Sequence, residues 1–556
     1  MTRWPGQAGP AAGRAGLIAI GASVALTFAV AVAGPSVMEP ALPGRPGQPP
    51  WAWAAHLSAY LAVPLTAAAL AAGTLGLVLV LRALRGGWSV PARTVLIAGL
   101  LAAAVLTLVP PFGSSDQLSY AAYGRMLVTG HNPYTTTPAQ LAALGDPVAR
   151  AVQDWFTTSS VYGPLATGIQ GLAALIGGTS ARLTVFMLGL ANLAAFAGTA
   201  LLLHRVTRGD PSRQLRAALL WAANPLLLQL LIAGAHVDVQ AAFFAVAAVA
   251  AVFRPGLPGT GRAALAGVLA GLGFAVKVSD VLVVLGLAIA LAVRCWPDWR
   301  RLLPPLAGLA AGFAATAGAA LAIGGSAMLT QLSRESGMVS IGSPWRVLRT
   351  IIHLAVAGPA ATDVVKAGAV ALAVVLAVLL VRGLPGVLVA RQRRGAAQEP
   401  ALDGGPAGTI GDRTAGIWDG GFAATAGGVT FALALAWLFA WPYVLPWYDA
   451  LAWALLPLVP AATAAGRRLV DTVGWLLLAR TAALGFGYLP ARQTGVRLPS
   501  GLTWLQPVIR HGITPAVLAG ATVWLIVLLA RSRPAAAPPA PAAGTVGPAA
   551  AATKAG

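Results

Sequence analysis

Apolar runs long enough to cross a bilayer recur along this chain and constrain its fold more than any other feature. A membrane-spanning helix needs about 20 predominantly apolar residues. Such runs lie near 16–33, 57–81, 94–110, 182–203, 217–233, 237–253, 302–323, 365–381, 422–440, 450–465, 469–487 and 513–530. Of the 556 residues, 58% are hydrophobic and only 10% charged, with a mean hydropathy of +0.77, which excludes a soluble globular domain. Between Arg262 and Arg294 a further apolar stretch is interrupted by Lys277-Val278-Ser279-Asp280. It is too short for two full crossings and too long for one, and it reads as a hairpin of two short helices. The expectation is an all-α polytopic membrane protein with about 12–14 transmembrane helices. These form one domain over 1–533, with a Gly/Ala-rich polar stretch at 395–420 read as a flexible cytoplasmic loop and a Pro/Ala-rich tail at 534–556 read as disordered.

The net charge of +21 is set out in short clusters between the apolar runs rather than in a nucleic-acid-binding patch. Arg82, Arg85 and Arg93 form one cluster; Arg205, Arg208, Arg213 and Arg216 form another; Arg254, Arg262, Arg294, Arg300, Arg301, Arg391, Arg393, Arg394, Arg467, Arg468, Arg531 and Arg533 follow. Positive residues in short loops resist translocation. The clusters therefore read as cytoplasmic in a multi-pass plasma-membrane protein with both termini inside, and the loops near 34–56, 111–181, 234–236, 324–364, 441–449 and 488–512 read as extracytoplasmic. The longest of these, 111–181, is expected to carry short juxtamembrane helices. Arg3 and Arg14 ahead of the first apolar run suit a cleaved signal peptide, but the many later spans favour an uncleaved first helix. The single cysteine, Cys295, offers neither a disulfide framework nor a cysteine-based metal site, and no Walker, dinucleotide-binding or zinc motif is present.

An ionised carboxylate near membrane depth is unfavourable unless solvated or paired, so acids at span ends are functional candidates. Asp116, Asp238, Asp280, Asp449 and Asp471 fit that description, and Asp116 stands first because it follows the third span directly. From Gln117 to Val128 the chain reads as a helix, with Asp116, Tyr120 and Tyr123 on one face at i, i+4 and i+7. The alternatives are that Asp116 merely caps this helix and that the tyrosines merely mark the interface. Arg125 through Tyr134 closes the helix with Gly130 and the turn-forming pair Asn132-Pro133, Asp146-Pro147 reads as a helix cap with a first-turn proline, and Tyr162-Gly163-Pro164 ends the loop. His236 and Asp238, two residues apart, point to different sides of a helix and do not suit a shared metal ion. Lys277, at the helix break, is the leading cation for an anionic phosphate; otherwise it snorkels or pairs with Asp280. Arg480 sits inside an apolar span and raises the same question.

The ordered pieces Ser115-Asp116…Tyr120…Gly124-Arg125…Gly130-His131-Asn132-Pro133-Tyr134, Asp146-Pro147…Tyr162-Gly163-Pro164 and Gly234-Ala235-His236-Val237-Asp238 resemble the polyprenol-phosphomannose-dependent α-1,6-mannosyltransferases of the MptA/MptB type, found in actinobacteria. Trp441-Pro442-Tyr443…Pro446-Trp447-Tyr448 is similar too, and the likeness covers most of 90–530. The resemblance implies a membrane glycosyltransferase of GT-C type whose catalytic base is an acid of the first large outer loop, here Asp116. It also implies a polyprenyl-phosphate-mannose donor and a mannan glycolipid acceptor of the lipomannan and lipoarabinomannan kind.

The mechanism expected is an inverting transfer with no metal and no cofactor beyond the lipid-linked sugar. Cations from Lys277, Arg480, His236 and Arg334 are the candidates for the leaving phosphate, and Tyr120, Tyr123, Arg125, Asn132, Tyr134, Tyr162, Asp238, Trp447 and Tyr448 for substrate contacts. Two rivals stay open: transfer of another lipid-linked sugar such as glucose or arabinose, and a lipid or solute transporter, which would also place charges and broken helices at membrane depth.

Overall fold

The computed structural model describes residues 9–254, 256–354, 359–383, 420–459, 464–491 and 496–531. The stretch expected to be a flexible loop lies outside these residues up to 419, as does the tail at 534–556. Among the described residues there is no β-strand, only an isolated bridge between Ser36 and Glu39, so the all-α expectation is met. The helices in chain order are α1 Pro10–Ala33, α2 Ala59–Arg85, α3 Ala92–Thr107, α4 Asp116–Val128, α5 Pro138–Ala143, α6 Pro164–Gly177, α7 Ala181–Val206, α8 Pro211–Leu220, the single turn α9 Pro225–Leu227, α10 Asp238–Ala251, α11 Gly259–Val276, α12 Val281–Cys295, α13 Trp299–Glu335, α14 Pro344–Ile352 and α15 Pro359–Gly383. Four more follow, Gly420–Ala440, Ala450–Leu455, Ala464–Gly487 and Thr514–Arg531.

Eleven helical segments among the described residues are long and apolar enough to cross a membrane, and three shorter apolar helices, α3, α6 and α10, accompany them. Local chemistry explains where the apolar runs and the helices part. The run at 217–233 is not one rod: α8 ends at Trp221, and Asn224 Oδ1 accepts the Leu226 and Leu227 N–H groups to restart the chain at Pro225. The run at 450–465 ends as a six-residue helix and a 3₁₀ turn at Leu456–Leu458, because Pro457 cannot continue an α-helical ladder. The stretch from Arg262 to Arg294 does break at Lys277, but each half is long enough to cross, contrary to the short hairpin expected. Part of the 111–181 segment expected as loop is α6, which packs on α4 and α7.

The longest correction is α13. It runs 37 residues, well past the end of the apolar run at 323, and turns at Gly325, whose φ of 62° lies in the left-handed region that glycine adopts without a Cβ clash. The kink carries Leu329 to Glu335 over the cavity described below. Glycine also sets the spacing of α11 and α13: a Cβ on Gly267 would lie 2.1 Å from Leu309 O, and one on Gly312 would lie 2.1 Å from Ala264 O. Backbones in such contact tolerate no larger residue. Gly312→Leu is expected to destabilise the protein by about 1–3 kcal/mol through overpacking, read as a lower thermal midpoint in detergent, whereas Gly318→Ala, with open space at its Cβ, leaves the midpoint near wild type.

Candidate active site

The turn after α3 ends in Ser114-Ser115, and Asp116 opens α4 with its N–H donating to Ser114 Oγ at 3.0 Å. Its carboxylate does not cap its own helix. Oδ1 accepts the indole N–H of Trp155 at 3.2 Å, and Oδ2 lies 3.7 Å from His236 Nδ1. The side chain keeps 13% of its surface open, which is enough to face the adjoining cavity.

That cavity, about 600 Å³, gathers parts of the chain far apart in sequence: Asp116, Tyr120 and Tyr123 from α4, Trp155 and Tyr162 from the following loop, Lys277 at the α11–α12 break, Glu335 at the end of α13, and Trp437, Tyr443 and Tyr448 beyond Gly420. Tyr162 O–H donates to Tyr120 Oη at 3.3 Å with the rings edge-to-face, and Tyr123 O–H donates to Thr158 O at 2.9 Å, so two of the tyrosines also hold the loop. Lys277 pairs with Asp238 rather than Asp280, and its Nζ stands 3.5 Å from the Tyr448 ring centroid. His236 stacks on Trp447 at 3.6 Å between centroids, with Nδ1 also 3.4 Å from Tyr120 Oη. His236 and Asp238 thus take different partners, as their spacing requires.

Six of the residues picked from sequence line the cavity: Asp116, Tyr120, Tyr123, Tyr162, Lys277 and Tyr448. His236, Asp238 and Trp447 stand directly behind them. The structure places the others elsewhere. Arg125 is bound to Asp146 at 2.6 Å, and Asp146 Oδ1 accepts the N–H groups of Val148 and Ala149, the cap its Asp-Pro pair announced. Asn132 Oδ1 accepts the Tyr134 N–H at 2.9 Å to form the turn, and Tyr134 Oη meets Thr167 Oγ1. Arg334 is exposed; its neighbour Glu335 is the ionisable α13 side chain on the cavity wall. Arg480 is buried against Asp449, whose other oxygen accepts the Thr481 hydroxyl at 2.6 Å, so a protein carboxylate stands where a lipid phosphate was expected.

Trp155 and Glu335 on the cavity wall, and Asp154 beside Asp116, are not picked out by the sequence reading. Trp155 and Asp154 were signalled only by an acid beside an aromatic in a loop, and Glu335 was assigned to a loop because α13 was expected to end twelve residues earlier. Asp154 accepts the Ser115 hydroxyl at 2.9 Å and lies close enough to act on the charge of Asp116. Trp155 and the Ala235 preceding His236 both hold positive φ, 63° and 53°. Non-glycine residues adopt this region at a cost of about 1–2 kcal/mol, and here both flank the same carboxylate.

Burial, then the Asp154 charge, push the Asp116 carboxyl up to about 7, against the indole hydrogen bond from Trp155 that lowers it. His236 is held well below its ordinary value, first by burial and then by the Lys277 charge, and stays neutral at pH 7. The site therefore holds a carboxylate that takes a proton near neutrality and a fixed cation bound to a second acid. Among the described residues no cluster of His, Cys, Asp and Glu suits a metal ion.

The family model described as alpha-(1->6)-mannopyranosyltransferase, N-terminal domain, matches residues 17–293. The chain belongs to this family. It is therefore a mannosyltransferase, which answers the transporter alternative. The matched residues of this mannosyltransferase hold Asp116, Trp155, Tyr162, His236, Asp238 and Lys277, while Glu335 and the Trp437–Tyr448 wall come from outside the match. No curated protein matches the chain. Among solved structures, the crystal structure of ArnT from Cupriavidus metallidurans bound to undecaprenyl phosphate is 14% identical over 78% of this chain and 77% of that one, with a TM-score of 0.33.

A reaction that uses Asp116 as base requires its ionised form, so the rate should fall as pH drops through about 7. Asp154→Asn removes a like charge and is expected to move that limb to lower pH. Trp155→Phe removes the donor that favours the carboxylate and is expected to move it higher. Rate against pH for the two variants checks both signs, and a limb unmoved in both excludes Asp116 as the titrating group.

Proposed function

We propose that the protein transfers mannose from polyprenyl-phosphate-mannose to an α-1,6-mannan glycolipid of the lipomannan type, by an inverting GT-C mechanism on the extracytoplasmic side of the plasma membrane. The observation that carries this reading is Asp116 and Lys277 on one aromatic cavity of about 600 Å³: a base with its proton affinity near neutrality and a cation lie on the same wall. The acceptor hydroxyl oxygen attacks the anomeric carbon, its proton passes to Asp116, and the bond from that carbon to the phosphate oxygen breaks with its electron pair leaving on the polyprenyl phosphate. Lys277, aided by the polar edge of Tyr448, offsets the charge that develops on the phosphate. Tyr120, Tyr162, Trp437 and Trp441 offer aromatic faces to a pyranose ring, and Leu329, Leu332 and Leu282 offer an apolar surface to the first isoprene units. No step calls for a metal. The side assignment rests on the arginine clusters, which the bilayer retains on the cytoplasmic face.

Asp116→Asn keeps shape and loses the base. Transfer is expected to fall on the order of 10²–10⁴-fold, with donor binding and thermal midpoint near wild type. Purified protein incubated with one radiolabelled polyprenyl-phosphate sugar at a time reads the donor. Undiminished transfer by the asparagine variant discards Asp116 as base, and transfer from a glucose or arabinose donor in preference to mannose discards the donor assignment.

A further inference from the structure

The Asp116 cavity holds a second carboxylate that the transfer step does not use. Glu335, half-buried at the end of α13, lines it. Its Oε1 accepts the Gln331 side-chain N–H at 3.2 Å, one helical turn back, and among the described residues no protein donor meets Oε2. A partly buried carboxylate is stable when hydrogen-bond donors answer it, so an oxygen left open on a cavity wall suits donors that a ligand brings.

The segment that carries Glu335 changes character along the cavity. Leu329, Leu332, Ser333 and Ser336 recur at i, i+3, i+4 and i+7 and line the cavity together with Glu335. The leucines come first, and the polar side chains follow within about one turn. Met338, just beyond, lines a small side chamber with Trp155, whose indole holds Asp116. The polar end of α13 therefore closes toward the loop beside the base. Tyr123 feels both acids: burial first, then the charges of Asp116 and Glu335, keep its hydroxyl protonated.

Two substrates meet in a transfer cavity, and charge sorts them. The donor carries a phosphate, which Lys277 attracts and a glutamate repels. A neutral glycan carries hydroxyl groups, which donate to a carboxylate in charge-assisted hydrogen bonds. We propose, on the reading of this cavity as the transfer site, that Glu335 binds hydroxyl groups of the terminal sugar of the acceptor glycan and so selects a neutral acceptor. Asp116 remains the base, and Glu335 supplies binding alone. An acceptor ending in an acidic sugar is disfavoured, because like charges meet where hydroxyl donors are needed.

Initial rates of the full chain in detergent test this, at saturating polyprenyl-phosphate-mannose, with an alkyl α-1,6-mannobioside as neutral acceptor and the same compound ending in glucuronic acid as the acidic one. Glu335→Gln keeps the shape and loses the charge. It is expected to raise the KM of the neutral acceptor about tenfold, with kcat, the donor KM and the pH limb of Asp116 unchanged, and to shift kcat/KM in favour of the acidic acceptor. Glu335→Asp, which keeps the charge, is expected to recover part of the affinity. If the thermal midpoint of Glu335→Gln falls, the ratio of the two acceptors' kcat/KM carries the comparison, since loss of folded protein lowers both alike. An unchanged KM and ratio overturns the acceptor role, and so does a fall in kcat at unchanged KM, which places Glu335 in the chemical step. Either result alongside inactive Asp116→Asn leaves the transfer site standing, whereas undiminished transfer by Asp116→Asn removes the site itself.

Discussion

A lysine at the break between two apolar helices is stable only if its charge is answered, and in this protein the answer is Asp238. A lone charge at membrane depth costs several kcal/mol, and removing one partner of a buried pair costs about 3–5 kcal/mol. The Lys277–Asp238 pair therefore locks the start of α10 to the α11–α12 junction. Tyr448 stands over the ammonium and brings in the segment beyond Gly420. With those three pieces joined, the cavity has a fixed cation on its wall, and the loop carrying Asp116 has a surface to close against.

The contrast between Asp238 and Asp116 follows from the same physics. Asp238 meets a cation directly. Asp116 meets an indole N–H and a neutral imidazole, with Asp154 nearby, so its burial is not offset and its proton affinity rises. One acid is tied to a lysine and fixes the architecture, and the other is left able to exchange a proton. Arg480 pairs with the buried Asp449, whose second oxygen accepts the Thr481 hydroxyl, and the pair joins helix Ala464–Gly487 to the segment before it. Asp471, with Arg85 and Arg216, makes a similar connection nearer the start of that helix.

Much of the site was legible because unusual residues in an apolar chain are conspicuous. Asp116, Lys277, His236 and Asp238 stand out against their surroundings, and the 3.6-residue spacing that placed Tyr120 and Tyr123 on the face of Asp116 held over the whole of α4. The same criterion also drew in Arg480 and Arg125, which are just as conspicuous but are answered by Asp449 and Asp146. Conspicuousness marks a charge that needs a partner; it does not say whether the partner is protein or ligand. Trp155 and Glu335 went unread because loop tryptophans and a helix extending past its apolar run carry no periodic signal.

The sequence alone determined that the chain is a helical bundle in a bilayer, with its arginines between spans, because length and apolarity of each run are local quantities that the membrane reads one segment at a time. It also determined where those runs are interrupted by charge or proline. Only the tertiary structure decided which acid met which cation, that the end of α13 turned at Gly325 over the cavity, and that residues from 116 to 448 share one wall. Those outcomes depend on distances between segments tens to hundreds of residues apart, set by glycine-spaced helix contacts and by pairs formed in low dielectric, and local periodicity along the chain does not encode them.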